Sequence, residues 1–229
     1  MKLVGGAQAE RWRSDFGRAY TDRNEMDLQQ MDALYRGRYG RSRTDLNRLF
    51  LDDLPRAMRI LEVGANLGNQ LLCLRKMGFT RLVGIDLQSD ALLRLHSRER
   101  TVAPVLAAGQ SLPFAEDAFD LVFTSGLLIH IPPDAVRRVL SEIYRCARSY
   151  IWGLEYYADT YTSVEYRGQL GMMWKTDFAT LYLDAFPDLE IARKERLRYR
   201  EEPLEDEMFL LRKRAAQIRT PSHSSGPQT

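Results

Sequence analysis

The stretch that most constrains the fold is residues 59–74, which read RILEVGANLGNQLLCL. Its first apolar residues, Ile60, Leu61 and Val63, are typical of a short buried strand. A turn of small residues follows, and an amphipathic pattern then predicts a helix that ends near Gly78. A strand that leads through a glycine-containing turn into a helix is suited to nucleotide binding, because glycine lets a ligand approach the main chain closely.

A carboxylate at the end of the next predicted strand completes this unit. Residues 81–85 form a second apolar run, and Asp86 follows it directly. An acidic residue about 20 positions after the glycine turn is where such units hold the two hydroxyls of a ribose. The turn and the acid together therefore predict a site for a ligand that contains a nucleoside.

Strands and helices alternate through the middle of the chain. Further strands are predicted at 104–108, 119–124 and 149–155, with amphipathic helices between them. Two later runs, 189–199 and 207–212, are typical of an antiparallel hairpin. This order predicts an α/β, Rossmann-like fold with a mostly parallel seven-stranded sheet, a C-terminal antiparallel hairpin and an N-terminal helical lid.

Length and charge favour one domain with three segments. The 229 residues are enough to bury a substantial core. We assign residues 1–54 to an N-terminal helical lid or substrate segment, 55–215 to the Rossmann-like core, and 216–229 to a tail with the composition of disorder. The 33 basic and 31 acidic residues nearly cancel, which disfavours nucleic acid as a partner. The oligomeric state is left open.

The sequence predicts neither a membrane segment nor a metal centre. No apolar run approaches the roughly 18 residues that a membrane helix needs, and the N-terminal residues lack a signal-peptide pattern. Cys73 and Cys146 fall on apolar faces of predicted helices and are expected to be reduced core residues. The histidines are dispersed, so no metal is expected. We therefore expect a cytoplasmic protein without a membrane anchor.

The turn itself discriminates between nucleotide ligands. In NAD-binding proteins the pattern G-x-G-x-x-G places its glycines beneath a pyrophosphate. Here the turn reads EVGANLG, with Glu62 two positions before Gly64. A carboxylate at that point would repel a pyrophosphate but suits a ligand with an ammonium group. Asn66 replaces the middle glycine, and asparagine is well able to adopt left-handed backbone angles.

With these residues the sequence resembles the class I S-adenosylmethionine-dependent methyltransferases, whose first motif is (D/E)-x-G-x-G-x-G. GID at 84–86 resembles the second motif, and AAGQSLPFAEDAFDLVFTSGLLIHIPP resembles the segment with the adenine site and fourth strand. The resemblance implies S-adenosyl-L-methionine as cofactor and transfer of its methyl group. It implies these cofactor contacts: Glu62, Gly64, Ala65, Asn66, Gly68, Asp86, Leu87, Gly109, Gln110, Ser125 and Leu127.

The N-terminal segment offers two more cofactor contacts. In residues 10–24, Trp12, Phe16 and Tyr20 recur at every fourth position, which places them on one stripe of a predicted helix. Packing on the core is the simpler interpretation of the stripe. A lid over the ligand is the alternative, with Tyr20 facing the sulfonium by cation–π attraction and Arg23 pairing with a carboxylate.

A narrower resemblance is to the methylases associated with the biosynthesis of pseudaminic acid and related sugars. It rests on RWRSDFGRAYTDRN, EVGAN, LIHIPPD, EYY, YRG and a DF…L…FPDL ending, which together span nearly the whole chain outside both tails and residues 35–54. The association of that family with sugars implies a small polar acceptor, such as a sugar or nucleotide-sugar, methylated on oxygen or nitrogen.

Methyl transfer asks little of the protein, because the sulfonium methyl is already an electrophile and positioning at about 3–3.5 Å supplies much of the rate. A base helps when the acceptor is a hydroxyl. His130, after the fourth strand, and Glu155, at the end of the fifth, are the candidate catalytic residues. Either residue can instead have a structural role in holding a loop. The candidate acceptor contacts are Tyr156, Tyr157, Tyr166 and Arg167.

Several alternatives stay open at this point. The arginine-rich segment 36–48 is typical of a solvated surface, but it also suits a phosphate- or carboxylate-bearing acceptor. The protein could transfer another part of S-adenosylmethionine, such as an aminopropyl group. It could also be a non-catalytic subunit that binds S-adenosylmethionine. Two departures from the resembled family keep the non-catalytic alternative open. Asn66 stands in place of the usual middle glycine, and Ala108 stands where an aspartate often precedes the adenine-flanking pair.

Overall fold

A seven-stranded sheet is the centre of this computed structural model, which describes residues 6–214. In chain order the strands of the described residues are β1 (Arg59–Val63), β2 (Arg81–Asp86), β3 (Ala103–Leu106), β4 (Phe119–Ser125), β5 (Ala147–Tyr156), β6 (Thr162–Tyr166), β7 (Gln169–Lys175), β8 (Leu189–Arg198) and β9 (Glu205–Lys213). The large sheet has the order β3-β2-β1-β4-β5-β9-β8, and β6 and β7 form a separate two-stranded sheet.

The helices of the same residues lie on both faces of the large sheet or above its edge. They are α1 (Ala7–Arg13), α2 (Asp15–Arg23), α3 (Leu28–Tyr39), α4 (Arg43–Leu51), α5 (Asn69–Lys76), α6 (Ser89–Arg98), α7 (Pro133–Cys146) and α8 (Phe178–Ala185). A short 3-10 helix spans Leu128–His130. The predicted alternation of strands and helices is therefore present.

Strand pairing confirms the predicted sheet. The pairs β1–β2, β1–β4, β2–β3 and β4–β5 are parallel, whereas β9 pairs antiparallel with both β5 and β8. The C-terminal hairpin thus extends a parallel sheet at one edge. Because the carboxyl ends of the parallel strands meet at one edge of the sheet, the residues that follow them are brought together there.

Two apolar layers bury the faces of the sheet. On one face, residues of α4, α5 and α6 pack against β1, β2 and β4; they include Leu46, Phe50, Leu71, Leu74, Leu92 and Leu95. On the other face, residues of α7 and α8 form a cluster with side chains of β1, β4, β5, β8 and β9; the helix residues include Val136, Val139, Leu140, Ile143, Phe178 and Tyr182. The period of about 3.6 residues in α7 explains why its apolar side chains form one buried stripe.

The first helical stretch differs from its prediction. One helix is predicted over residues 10–24, but α1 and α2 are separated at Ser14, whose backbone is extended with φ −87° and ψ −170°. The Ser14 hydroxyl accepts a hydrogen bond from the Phe16 amide at 3.3 Å and so starts the second helix. The aromatic stripe still forms, because the Trp12 ring lies 5.2 Å from each of the Phe16 and Tyr20 rings.

The hairpin of β6 and β7 is not predicted by the sequence patterns above. Its two strands are joined by Arg167 and Gly168, both with left-handed backbone angles, φ 53° and 73°. Tyr166 and Gln169 pair on either side of this tight turn. Positive φ at both central residues is typical of the turns that join twisted strands, although arginine is an uncommon residue there.

Other features of the chain can be compared directly with their predictions. Cys73 and Cys146 are buried free thiols. Among the described helices, none is long and apolar enough to cross a membrane. The tail assigned to 216–229 lies outside the described residues, as do residues 1–5.

Candidate active site

A cavity of about 1070 Å³ lies at the carboxyl edge of the parallel strands, with Val63 of β1, Asp86 of β2 and Ser125 of β4 in its wall. Open α/β sheets bind their ligands at this edge. The volume lies at the upper end of the range for small-molecule sites, about 300–1,000 Å³. The cavity is therefore large enough for a nucleoside-sized cofactor with a second small molecule beside it.

The predicted turn forms one wall of this cavity. Gly64, Asn66 and Gly68 have φ values of 77°, 47° and 69°, so asparagine does adopt the left-handed conformation here. The amides of Gly64 and Ala65 donate to the Ile85 carbonyl at 2.9 and 2.8 Å. A Cβ atom on Gly64 would lie only 2.7 Å from Leu127, so glycine is required at this position.

Asp86 lies beside this turn, in the cavity wall, with 9% of its surface exposed. Its two carboxylate oxygens accept hydrogen bonds from the amides of Asn66 at 2.8 Å and Gln88 at 2.9 Å. Burial raises the pKa of Asp86, and the amides of Gln88 and Asn66 act in the opposite direction. Each oxygen can accept a second hydrogen bond, so the carboxylate can still bind ligand hydroxyls.

Glu62 is the second buried acid of the wall. It is 3% exposed, and its Oε2 atom has no hydrogen-bond partner among the described residues. Burial raises the pKa of Glu62 well above its usual value, whereas nearby Arg43 lowers it. A buried polar atom without a partner is destabilising, and a ligand with a positively charged group would supply the missing partner.

The end of α2 closes over the turn. Tyr20 and Arg23 both line the cavity, as expected. The Asn66 side chain donates to the Thr21 hydroxyl at 2.8 Å, and Asn69 donates to the Asn24 carbonyl at 2.8 Å. These two hydrogen bonds fasten the helix to the turn, so the same residues that shape the turn also position the N-terminal wall.

His130 lies on the cavity wall among aromatic rings. Its ring centroid is 4.7 Å from that of Trp12 and 5.3 Å from that of Tyr166. Nδ1 lies 3.0 Å from the Met172 carbonyl oxygen, and because a carbonyl can only accept, Nδ1 carries the proton. Burial lowers the pKa of His130 to about 4. The imidazole is thus neutral at pH 7, with Nε2 as its acceptor.

Most of the residues predicted for the site do line this one cavity. They are Tyr20, Arg23, Glu62, Gly64, Ala65, Asn66, Asp86, Leu87, Gly109, Gln110, Ser125, Leu127, His130, Tyr156, Tyr166 and Arg167. Three predicted residues, Gly68, Glu155 and Tyr157, are not in its wall.

Gly68 and Glu155 lie outside the cavity wall and contact residues that position it. Gly68 begins α5, and a Cβ atom there would lie 2.1 Å from Leu95, so this glycine serves helix packing. Glu155 is fully buried and accepts hydrogen bonds from the amides of Leu127 at 3.2 Å and Ile129 at 3.4 Å. Burial raises its pKa to about 7, with the Thr124 hydroxyl and these amides opposing. Its contacts are those of a loop anchor.

Tyr157 points away from the cavity. The guanidinium carbon of Arg196 lies 3.0 Å from its ring centroid, and its hydroxyl donates to Asp159. The preceding residue, Tyr156, faces the cavity instead. Successive residues of a strand point to opposite faces, and Tyr156 is the last residue of β5, which explains why only one of the two tyrosines can contact an acceptor.

Several cavity residues are not among the individual site residues predicted from the sequence, and Tyr35, Arg38 and Asp206 are three of them; Arg38 was considered only as part of the arginine-rich segment 36–48. Tyr35 and Arg38 of α3 lie three positions apart, which places them on one helix face. Asp206 of β9 is 4% exposed and accepts hydrogen bonds from the hydroxyls of Tyr39 and Tyr199. Burial raises the pKa of Asp206 to about 6. The helical spacing of Tyr35 and Arg38 is visible in the sequence. Nothing in the sequence indicates Asp206, because antiparallel pairing with Tyr156 of β5 brings it to the cavity.

The arginine-rich segment divides between three environments. Arg38 lines the cavity, Arg41 pairs with Glu195 on the surface, and Arg43 is completely buried. The remaining two, Arg36 and Arg48, are exposed. The segment is therefore neither a uniform solvated surface nor a continuous pocket lining.

Comparison with known proteins identifies the fold and its cofactor. Residues 60–149 match the family model described as a methyltransferase domain. A similar solved structure is Burkholderia thailandensis 1,6-didemethyltoxoflavin-N1-methyltransferase with bound S-adenosylhomocysteine, at 21% identity and a TM-score of 0.69 over 94% of this chain and 93% of that one. Residues 60–149 thus carry a methyltransferase domain. The predicted fold class and cofactor are thus confirmed.

Two further similar proteins have names that do not describe a methyltransferase. The cyclase SpnF is 18% identical, with a TM-score of 0.61 over 82% of this chain and 83% of that one. An uncharacterized protein of Haemophilus influenzae is 26% identical over 93 residues, which is 38% of this chain and 37% of the relative. The chain thus matches little more than a third of that curated relative's length.

Proposed function

We propose that this protein transfers the methyl group of S-adenosylmethionine to a small polar acceptor, such as a sugar or a nucleotide-sugar, on oxygen or nitrogen. The observation that carries the proposal is the continuity of one cavity. Glu62 and Asp86 line it on the side of the glycine turn, and Tyr156 and Asp206 line it beyond β4. Two ligands can therefore meet in one enclosed space, as a transfer reaction requires.

The cofactor would occupy the side next to the turn. There Asp86 would bind the ribose hydroxyls, and Glu62 would pair with the ammonium of the methionine moiety. Gly109 and Gln110 follow the third strand and would flank the adenine, while Arg23 would bind the carboxylate. The buried, unpartnered oxygen of Glu62 supports this orientation, because it is a site for a positive charge.

The reaction would be an in-line displacement at the methyl carbon. When bound, S-adenosylmethionine would supply the methyl group: a lone pair of the acceptor oxygen or nitrogen would form the new bond to carbon, and the carbon–sulfur bonding pair would move onto sulfur to leave S-adenosylhomocysteine. The acceptor proton passes to Nε2 of His130. Its Nδ1–H is held by the Met172 carbonyl, so the ring is oriented before the substrate arrives. Glu155 would keep residues 127–129 in place, as its amide contacts support.

The acceptor would lie between the N-terminal helices and the β6–β7 hairpin. We propose that residues 1–54 act as a lid and substrate segment, since Tyr20 and Arg38 reach the cavity from α2 and α3. Tyr156, Tyr166 and Arg167 would contact the acceptor from the opposite side. No carboxylate of the described residues lies within 4 Å of Arg38 or Arg167, and both are thus available to a carboxylate or phosphate.

Two comparisons bear on the acceptor. The Burkholderia neighbour is named for methylation of a small molecule, 1,6-didemethyltoxoflavin, which supports a small acceptor here. The pseudaminic-acid resemblance supports a sugar. The motifs that carry that resemblance include Tyr166 and Arg167, which lie on the acceptor side of the cavity.

Calorimetric titration with S-adenosylhomocysteine and with NAD tests the binding step. Binding of the first and not the second is expected. Asp86→Asn should weaken the titration, and Asp90→Asn, an exposed acid on α6, is the matched control. Preferential binding of NAD would contradict the proposal.

The transfer step needs its own assay, because SpnF shares this fold and is named as a cyclase. Purified protein with S-adenosylmethionine and a panel of sugars, sugar phosphates and nucleotide-sugars should yield S-adenosylhomocysteine and a product heavier by one CH₂. Release of methylthioadenosine would instead indicate transfer of the 3-amino-3-carboxypropyl group of S-adenosylmethionine; an aminopropyl group could be transferred only from the decarboxylated cofactor. Binding without turnover on any fraction of a metabolite extract would favour a non-catalytic role.

A further inference from the structure

Arg43, the first residue of α4, is a charged side chain in an unusual place. It has no exposed surface. Nε donates to Asn47 at 2.9 Å and Nη1 donates to the Tyr35 hydroxyl at 2.8 Å, but Nη2 has no partner. Within residues 6–214, no carboxylate lies within 4 Å of this guanidinium. A buried charge without a paired ion is strongly unfavourable, so the position of Arg43 calls for an explanation.

The position of Arg43 relative to the sheet explains what it can influence. Its guanidinium carbon lies 5.5 Å from the Trp152 ring centroid, and the Trp152 and Phe123 rings are 4.9 Å apart. Phe123 is in register with both Trp152 of β5 and Glu62 of β1. In-register residues of neighbouring parallel strands share a face. Arg43 therefore lies over the row of side chains that ends at Glu62.

Glu62 is the one member of that row that reaches the cavity and is ionisable. The ionisable groups that face it come from three elements: Asp86 from β2, Cys73 from α5 and Arg43 from α4. Burial raises the pKa of Glu62, Arg43 lowers it, and Asp86 raises it further. Arg43 is thus the only positive group among these neighbours in the described part of the chain.

A hydrogen-bonded series fixes Arg43 in this place. Asn47 accepts from Nε of Arg43, and its own side-chain amide donates to Gln70 at 3.4 Å. Asn47 has no exposed surface, and Gln70 reaches the cavity wall. The guanidinium is therefore held between α4, α5 and the sheet and cannot move to solvent without breaking several contacts.

We propose that Arg43 is a positioning residue for the cofactor, whose guanidinium, held over the same row of side chains, favours the carboxylate form of Glu62 so that Glu62 can pair with the methionine ammonium. The inference rests on the proposed function, because it assumes that this ammonium faces Glu62. Arg43 itself does not touch the ligand. It acts through Glu62, and the ligand's ammonium and the guanidinium would stabilise the same carboxylate from opposite sides.

The proposal predicts a specific response to loss of the charge. In Arg43→Met, Glu62 would bind its proton more tightly, and the incoming ammonium would have to displace that proton. Affinity for S-adenosylhomocysteine should then fall at neutral pH and recover as the pH is raised. 5′-Methylthioadenosine lacks the amino-acid moiety, so its affinity should depend neither on Arg43 nor on this protonation.

Titration calorimetry between pH 6 and 9 with both ligands tests the proposal. For Arg43→Met we expect affinity for S-adenosylhomocysteine at pH 7 to fall by more than about tenfold, while affinity for methylthioadenosine changes by less than about twofold. Arg43→Lys, which keeps an ionisable cation but not the fork of donors, should lose less affinity for S-adenosylhomocysteine than Arg43→Met. Arg48→Met, at an exposed position on the same helix, is the matched control. In a Glu62→Gln background, Arg43→Met should have no further effect.

Several results would overturn the role of Arg43. These are an equal loss of affinity for both ligands, superposable pH profiles of Arg43→Met and wild type, or additive effects of Arg43→Met and Glu62→Gln. If Arg43→Met does not fold, Arg43→Gln, which keeps polar contacts to Asn47, decides by the same criteria. A wild-type protein that binds methylthioadenosine as tightly as S-adenosylhomocysteine would overturn the Arg43 role alone. A wild-type protein that binds neither would overturn the proposed function with it.

Discussion

The carboxylate of Asp86 accepts a hydrogen bond from the Asn66 amide at 2.8 Å, and this contact joins the end of β2 to the turn that follows β1. The Asn66 side chain continues the connection to Thr21 on α2. One short path therefore links the predicted ribose site, the turn and the N-terminal wall. A ligand that binds Asp86 also stabilises the backbone of the turn and the helix above it.

Replacement of Asp86 should remove both a ligand contact and a turn contact. We expect Asp86→Ala to weaken S-adenosylhomocysteine binding by more than about tenfold, since hydrogen bonds to a charged group each contribute roughly 1.5–3 kcal/mol. Titration calorimetry measures the change, and Asp90→Ala is the control. An unchanged affinity would show that the ribose is bound elsewhere.

Substitutions of Asn66 separate backbone strain from its side-chain contact. Its φ of 47° is unfavourable for alanine, so Asn66→Ala should lower the free energy of unfolding by about 1 kcal/mol more than Asn66→Gly does. Both variants lose the hydrogen bond to Thr21, and both should bind S-adenosylhomocysteine less tightly than wild type. Urea unfolding of the two variants provides the comparison. Equal stabilities would show that the turn relaxes without strain.

Glu155 should make the stability of the protein depend on pH. Burial raises its pKa to about 7 in the folded protein, against about 4.3 when unfolded. The folded state therefore binds the proton more tightly, and the contribution of Glu155 to stability falls as the pH rises from about 4.3 to 7. The full effect is on the order of 3 kcal/mol.

The comparison of wild type with Glu155→Gln isolates this contribution, because Asp206 and other buried acids titrate in both proteins. Between pH 5 and pH 8, wild type should lose more stability in urea unfolding than Glu155→Gln does. Glu165→Gln, an exposed residue of β6, is the control and should behave as wild type. Identical slopes in all three proteins would contradict the raised pKa.

Local patterns were sufficient to predict the sheet and to bring the glycine turn and Asp86 together in the wall of one cavity. The apolar run at 60–63, the turn at Gly64 and the acid at Asp86 are neighbours in sequence or end adjacent parallel strands, so their spatial relationship follows from the fold class. Asn66 was predictable for the same reason, because the conformational preference that permits its left-handed angle belongs to the residue itself.

Residues whose role depends on distant contacts could not be predicted in this way. Asp206 reaches the cavity only because β9 pairs with β5. Arg43 belongs to a run of arginines that is typical of an exposed surface, yet Tyr35 and Trp152 stack on it and bury it. Ser14 divides α1 from α2 although helical spacing continues across it. For Asp206 and Arg43 the deciding interaction is tertiary, and sequence spacing carries no record of it. The Ser14 cap is instead local, and the continuing helical spacing conceals it.

The low pKa of His130 gives a pH signature for the transfer step. Because burial lowers its pKa to about 4, the imidazole can accept a proton down to about pH 5, and kcat/KM should stay high between pH 5.5 and 7. His130→Asn, which keeps a donor for the Met172 carbonyl, should lower kcat more than it raises KM. An acid limb near pH 6.5 that is the same in wild type and His130→Asn would belong to another group, such as Asp206 with its pKa of about 6. Full activity in His130→Asn would exclude His130 as the proton acceptor.

Arg167 should affect the acceptor and not the cofactor. It lines the cavity at the tip of the β6–β7 hairpin with φ 53°, and a left-handed angle at a residue other than glycine persists where the surrounding structure or function demands it. Arg167→Asn suits this backbone conformation and removes the charge, so stability should be unchanged within about 1 kcal/mol. We expect the KM for the acceptor to rise about tenfold or more, as for loss of one charged hydrogen bond, with S-adenosylhomocysteine affinity unchanged. Leu170 lies on the same hairpin and is 78% exposed, so Leu170→Asn is the control. A weaker cofactor affinity in Arg167→Asn would instead place Arg167 at the methionine carboxylate.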